Sequence, residues 1–122
     1  MKVLVIDDEP DVVFLMETRL ESRGHKMLSA NNGKAGIALA KKEQPDLILL
    51  DIMMPEMDGF KVLEMLKSDP LTKNIPVIGL TASIAVVKAG TFIEKGGTDC
   101  MTKPFEASEL YQKIDAAVKN QK

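Results

Sequence analysis

The chain has one cysteine in 122 residues, so an internal disulfide framework is excluded and a reducing, cytoplasmic setting is expected. No apolar run approaches the length of a membrane span. A strand expected from Lys2 leaves no room for a signal peptide. Positive charge is not in excess: Lys and Arg number 16 against 18 Asp and Glu, for a net charge of −2. The pI of about 5.4 therefore offers no global basic field for direct contact with nucleic acid or anionic membrane. Neither GxGxxG nor GxxxxGK[ST] occurs, which argues against a nucleotide- or flavin-binding module. Repeats, linkers and low-complexity segments are also missing, so residues 1–122 read as a single domain. There is no DNA-reading helix-turn-helix and no room for a cyclase or kinase module, so no output domain is expected in this chain.

What is present is a regular alternation. Lys2 to Ile6 is an apolar strand that stops at Asp7-Asp8, and Pro10 suits the first turn of a helix. In that helix Val12, Leu15, Met16 and Leu20 fall at helical spacing. Residues 26–30 form a weaker second strand, suited to an edge. Asn31-Asn32-Gly33 can cap a helix running to about Glu43, with Ala35, Ala38 and Leu39 expected to face the sheet. Leu47 to Leu50 run straight into Asp51 and read as a strand buried on both faces. A third helix starts at Asp58 and ends at Asp69-Pro70. Pro76 to Leu80 form a fourth strand ending at Thr81; a fourth helix spans roughly Ile84 to Lys95. Thr98 to Thr102 are a short fifth strand before Lys103-Pro104, and the last helix covers about Glu106 to Lys119, after which the chain is expected to fray. Five βα units imply a parallel sheet with helices on both faces and right-handed crossovers. At this length an open α/β sheet is expected: a flavodoxin-like three-layer αβα sandwich with strand order 2-1-3-4-5 and five helices.

Polar residues gather at one end of these strands. Strand one ends in Asp7-Asp8, strand three in Asp51, strand four in Thr81 and strand five in Lys103. Neighbouring strands lie about 4.8 Å apart, so the acids of strands one and three can converge and Thr81 can stand beside Asp51. Strand five is about 10 Å from strand three, a gap that only a long side chain such as Lys103 bridges. Two carboxylates 4 Å apart repel by roughly 4 kcal/mol at an effective dielectric near 20. The group therefore needs a counter-ion or a shared proton. Hard oxygen donors with open positions select Mg²⁺ over a calcium cage, and Lys103 adds a point charge for an anionic ligand. A metal-bound carboxylate is also a candidate nucleophile, and phosphoryl transfer would use the metal, Lys103 and the Thr81 hydroxyl to hold the equatorial oxygens.

These residues carry a resemblance. VLVIDDEP, LLDIMMPEMDG, Thr81-Ala82 and Lys103-Pro104-Phe105 together resemble the receiver domain of bacterial two-component response regulators, of the chemotaxis-receiver kind, over essentially the whole chain. The resemblance implies that Asp51 is the phosphoacceptor and also a metal ligand. It implies that Asp8 binds Mg²⁺ directly, with Mn²⁺ as a substitute, that Asp7 holds the metal through water, and that Met53 lends its backbone carbonyl. Thr81 would bind the phosphoryl group and act as the switch hydroxyl, Ala82 would supply a small side chain beside it, and Lys103, before a cis Pro104, would pair with its oxygens. The implied donor is a phosphohistidine on a sensor histidine kinase or phosphotransfer protein. The implied target is a downstream protein or output domain meeting the face from the fourth to the fifth helix, with a weak homodimer as a further partner. Such a phosphoprotein works in phosphorelay signal transduction; it accepts and loses its own phosphate and is otherwise not an enzyme.

Two features depart from that pattern. The family usually carries Tyr or Phe three residues before the lysine, and here that residue is Cys100, expected to be a buried core thiol. Output is then expected to depend on backbone movement after Thr81. The fourth helix shows Ile84, Ala85, Val86, Val87, Ala89, Phe92 and Ile93 with little polar surface, so an apolar patch open to a partner is expected. His25, the sole histidine, reads as solvated. The competing function is an aspartyl-nucleophile phosphohydrolase of small phosphoesters. Such enzymes usually place a second acid two residues after the nucleophile, where this chain has Met53, and they need a substrate cap.

Overall fold

The computed structural model describes residues 1–54, 58–82 and 89–119. Its strands are β1 (Lys2–Ile6), β2 (Lys26–Ala30), β3 (Leu47–Asp51), β4 (Val77–Thr81) and β5 (Asp99–Thr102). Among the described residues the helices are α1 (Pro10–Ser22), α2 (Gly33–Glu43), α3 (Gly59–Ser68), α4 (Ala89–Glu94) and α5 (Ala107–Lys119). All four strand pairings are parallel, in the order β2-β1-β3-β4-β5. The weak strand at 26–30 is an edge, as its sparse apolar content suggested.

Alternation along each buried strand divides the core. Leu4, Ile6, Ile48, Leu50, Val77 and Cys100 point to one face and pack with Ile37 and Ala40 of α2, Val62, Leu63 and Leu66 of α3 and Phe92 of α4. Val3, Val5, Leu47, Leu49, Ile78, Leu80 and Met101 point to the other, against Met16 and Leu20 of α1 and Leu110, Ile114 and Ala117 of α5. The result is the three-layer sandwich, and all five residues of β3 are buried.

Local chemistry sets the helix ends. Pro10 opens α1, where its missing N–H costs nothing. Asn32 caps α2 by accepting from the Ala35 N–H at 2.8 Å, and Asp58 caps α3 by accepting from the Lys61 N–H at 2.9 Å. Asp69 ends α3 in extended conformation, as a residue before proline prefers.

Two expectations are corrected. Ala35 and Ala38 are exposed and Leu39 is only partly buried; the buried stripe of α2 is Gly33, Gly36, Ile37 and Ala40. The reason is close approach: a Cβ on Gly36 would stand 2.5 Å from Ile6 Cδ1, so the helix lies down on its glycine. Leu15 of α1 is likewise exposed, with Met16 and Leu20 taking the sheet-facing stripe. His25 is partly buried rather than solvated, with Nδ1 3.2 Å from the Met1 amino group. Partial burial and the charges of that amino group and Arg23 lower its pKa. For the fourth helix, positions 84–88 lie outside the described residues; within α4, Phe92 is fully buried and Ile93 is exposed. Cys100 is buried as expected.

Candidate functional site

Parallel strands put their C-terminal ends on one edge of the sheet, and the polar residues collect there. The β1–β2 ladder continues one residue past β1, where the Asp7 N–H donates to Ala30 O at 3.1 Å. Asp7 thus leaves the sheet at a fixed height, wholly buried. Its Oδ1 accepts from the Glu9 N–H at 2.9 Å, a side-chain turn that shapes the loop into α1. Asp51 repeats the device at the end of β3: its Oδ1 accepts from the Met53 N–H at 3.1 Å. Each acid has one oxygen tied to its own loop and the other, Oδ2, free to face the centre of the site.

Lys103 takes up those oxygens. It follows β5, and its backbone N–H donates to Thr81 O at 2.7 Å, which docks the loop on β4. The Lys103-Pro104 peptide bond is cis. From there Nζ reaches across two strands to Asp7 Oδ2 at 2.8 Å and Asp51 Oδ2 at 3.4 Å. It also meets Glu9 Oε1 at 2.8 Å. Asp8 stands beside this group, partly exposed. One carboxylate oxygen from each of Asp7, Asp8, Glu9 and Asp51 can be chosen so that all lie within 4.8 Å of one another. Four carboxyl groups therefore cluster together, and three of them pair with one ammonium.

Electrostatics follow from that imbalance. Burial, then the Asp7 charge, push the Asp51 pKa up to about 6, against the opposing pull of Lys103 and the Met53 N–H. Burial draws the Lys103 pKa down, but close pairing with Asp7 and Glu9 and the charges of Asp7 and Asp51 outweigh it, and the net shift is upward. A carboxyl held near 6 beside a fixed ammonium marks a place arranged for chemistry rather than for a cap. The donor set fits a hard divalent cation: all oxygen, tightly grouped, too negative for a single lysine to balance.

The remaining expected residues fall around this centre. Thr81 is buried as the last residue of β4, one position past the Asp51–Leu80 register pair. Ala82 is exposed at the mouth, and the Met53 side chain is 58% exposed. The sequence reading missed two residues. Glu9 was passed over, although it directly follows the acid pair and sits at the helix cap, where Ser, Thr, Asp or Asn is the rule. Gly59, the last residue of LLDIMMPEMDG, was given no role of its own. A Cβ there would lie 2.4 Å from Ile52 Cα and 2.8 Å from Asp51 O. The Gly59 N–H donates to Ile52 O at 2.7 Å, so α3 starts directly against the loop after Asp51.

Comparison with known proteins agrees with this geometry. The model of the response regulator receiver domain matches residues 3–115. The DNA-binding dual master transcriptional regulator RpaA of Synechocystis is 38% identical over 118 residues, covering 97% of this chain and 49% of RpaA. The chain thus spans about half of that relative. Protein PilH of Pseudomonas aeruginosa is 36% identical over 117 residues, covering 96% of this chain and 97% of PilH. A crystal structure of a response regulator from Chloroflexus aurantiacus superimposes with a TM-score of 0.92 at 28% identity, covering 98% of each chain. Strand order, the acids at the ends of β1 and β3, the lysine after β5 and these matches converge: the chain belongs to the response regulator receiver domain family.

Proposed function

We propose that Asp51 is the phosphoacceptor, receiving a phosphoryl group from a phosphohistidine of a sensor kinase or phosphotransfer protein. The observation that carries this reading is the single Lys103 ammonium held between the acids of β1 and β3 at one edge of the sheet. An Asp51 carboxylate oxygen forms the new bond to phosphorus as the bond from phosphorus to the donor imidazole nitrogen breaks. The imidazole keeps the electron pair and later takes a proton. Asp7, Asp8, Asp51 and the Met53 carbonyl would hold Mg²⁺, or Mn²⁺ in its place; when bound, the cation screens charge between the acid and the incoming phosphoryl oxygens. Lys103 releases part of its present pairing to meet those oxygens, Thr81 supplies a hydroxyl from β4, and Ala82 keeps the mouth uncrowded. Pro104 sets the direction of the chain that carries Lys103.

The residues 1–122 act as one receiver unit, phosphorylating and dephosphorylating themselves without other turnover, in a cytoplasmic setting that suits the buried thiol Cys100. The output face runs from α4 to α5, where the exposed Ile93 supports a protein partner or a weak second copy. The phosphohydrolase alternative loses its support: Met53 stands where its second acid would be, and the family match favours a receiver. Incubation with acetyl phosphate and Mg²⁺ followed by intact mass tests the proposal. One stable phosphate on the wild type and none on Asp51→Asn is expected. Equal labelling of both proteins, or rapid multiple turnover of simple phosphoesters, refutes it.

A further inference from the structure

Glu9 occupies the N-cap of α1 but does not cap it. Its backbone is extended, at φ −93° and ψ 112°, and its side chain makes no bond to the first turn. A glutamate there forgoes the stabilisation that a short polar side chain would give. Its carboxylate instead meets Lys103 Nζ at 2.8 Å, as close as buried Asp7 and closer than Asp51 at 3.4 Å. The two ion-pair partners of Lys103 other than Asp51 are unlike each other. Asp7 is wholly buried, whereas the Glu9 side chain is 58% exposed. Of the three carboxylates near Nζ, Glu9 is the one that accepts a hydrogen bond from it; Asp7 and Asp51 are held as ion pairs, and Asp7 Oδ2 accepts no hydrogen bond. An anion arriving at Asp51 competes with these partners for Nζ, and the solvated one leaves at least cost.

We propose that Glu9 is a positioning residue, a releasable latch that holds the Lys103 ammonium on the β1 side of the site until a phosphoryl group at Asp51 draws it away. This rests on the reading of Asp51 as phosphoacceptor. The latch has a second consequence. The Glu9 carboxylate lies within the same acidic group, so it also repels an incoming anion. Both effects lower the affinity of the site for a phosphoryl group and favour the unphosphorylated state. Glu9 thus adjusts how readily the site is occupied without touching the reacting atoms.

The test uses beryllofluoride, an acyl-phosphate mimic, titrated by calorimetry into the whole chain at saturating Mg²⁺. Glu9→Gln keeps the shape and removes the charge; Glu9→Asn also removes it and restores a capping side chain. Both are expected to bind beryllofluoride about two- to fivefold more tightly than wild type, the range an exposed ion pair supports. The gain should shrink toward unity as salt rises to about 0.5 M, because exposed pairs are screened. A merely structural cap would move thermal stability and leave this salt-dependent ratio flat. Binding equal to or weaker than wild type in both variants overturns the latch. Wild type that fails to bind beryllofluoride in a Mg²⁺-dependent way overturns the Asp51 reading instead, so the two failures are distinguishable.

Discussion

Replacing Asp51 with Asn should stabilise the metal-free protein at neutral and alkaline pH, and the gain should vanish in acid. The Asp51 carboxyl is buried, with its pKa pushed up to about 6 from 3.8. The native state therefore holds a proton that the unfolded chain releases between these values. Stability from this group is fully present below about pH 4 and is lost as pH rises through 6. A shift of about 2 units corresponds to about 3 kcal/mol at 1.36 kcal/mol per unit. Coupling to Asp7 and Lys103 makes about 1–3 kcal/mol the reasonable range at pH 8. For a chain of this size that corresponds to a rise of about 4–12 °C in Tm. Thermal or urea unfolding of both proteins in EDTA across pH 4 to 8 provides the measurement. Wild type should lose stability relative to Asp51→Asn across that window and regain it with Mg²⁺, which binds the folded site. A difference that is the same at pH 4 and pH 8, or an Asn variant less stable at pH 8, would show that the buried charge is not under strain.

Lys103→Met removes the counter-charge of a fully buried Asp7, so it should cost about 3 kcal/mol in EDTA at pH 7. It should also cut acetyl phosphate labelling more than tenfold, both read by urea unfolding and intact mass. Gly59→Ala should cost about 1–3 kcal/mol, because the added methyl meets Ile52 backbone rather than a movable side chain, and it should slow Asp51 labelling through the displaced loop. The Cys100 thiol, its pKa pushed up to about 11 by burial and then by the Asp99 charge, should resist a thiol-specific disulfide reagent at pH 8 until the protein unfolds. Cys100→Ala should leave beryllofluoride-dependent partner binding in place; complete loss of coupling would show that the thiol relays the switch.

The fold was legible because each buried strand is a short apolar run and each crossover carries its own punctuation. Leu47 to Leu50 admit no other reading once Pro45 precedes them and Asp58-Gly59 follows, and Asn32 and Asp58 cap where short polar residues should. The converging acids were legible for the same reason: parallel strands of similar length must end together, and the polar residues that interrupt their apolar runs share that edge. Facing was harder. Apolar spacing on α2 favours Ala35, Ala38 and Leu39, yet α2 turns Gly36 inward, because contact with Ile6 is set by the shape of a neighbour far away in sequence. The same limit hid Glu9. Its partner lies 94 residues further along the chain, and local sequence shows only a poor helix cap.

That poor cap is informative in itself. Where local preference and observed side chain disagree, function is the usual reason. At the mouth of α1 three successive acids stand, and each has a different exposure: Asp7 buried, Asp8 partly exposed, Glu9 exposed. Burial ranks how costly it is for each to change partner. Asp7 cannot leave Lys103 without stranding a buried charge, so it is the costliest of the partners to exchange. Among the described residues Asp8 is the acid of the three that makes no ion pair with Lys103, which leaves its carboxylate available to a cation. Glu9 can return to water, so it is the partner that can be exchanged for a phosphoryl oxygen. On the proposed reading, one run of three acidic residues at the end of β1 divides into an anchor, a cation ligand and a release, and depth together with pairing to Lys103 sets the division.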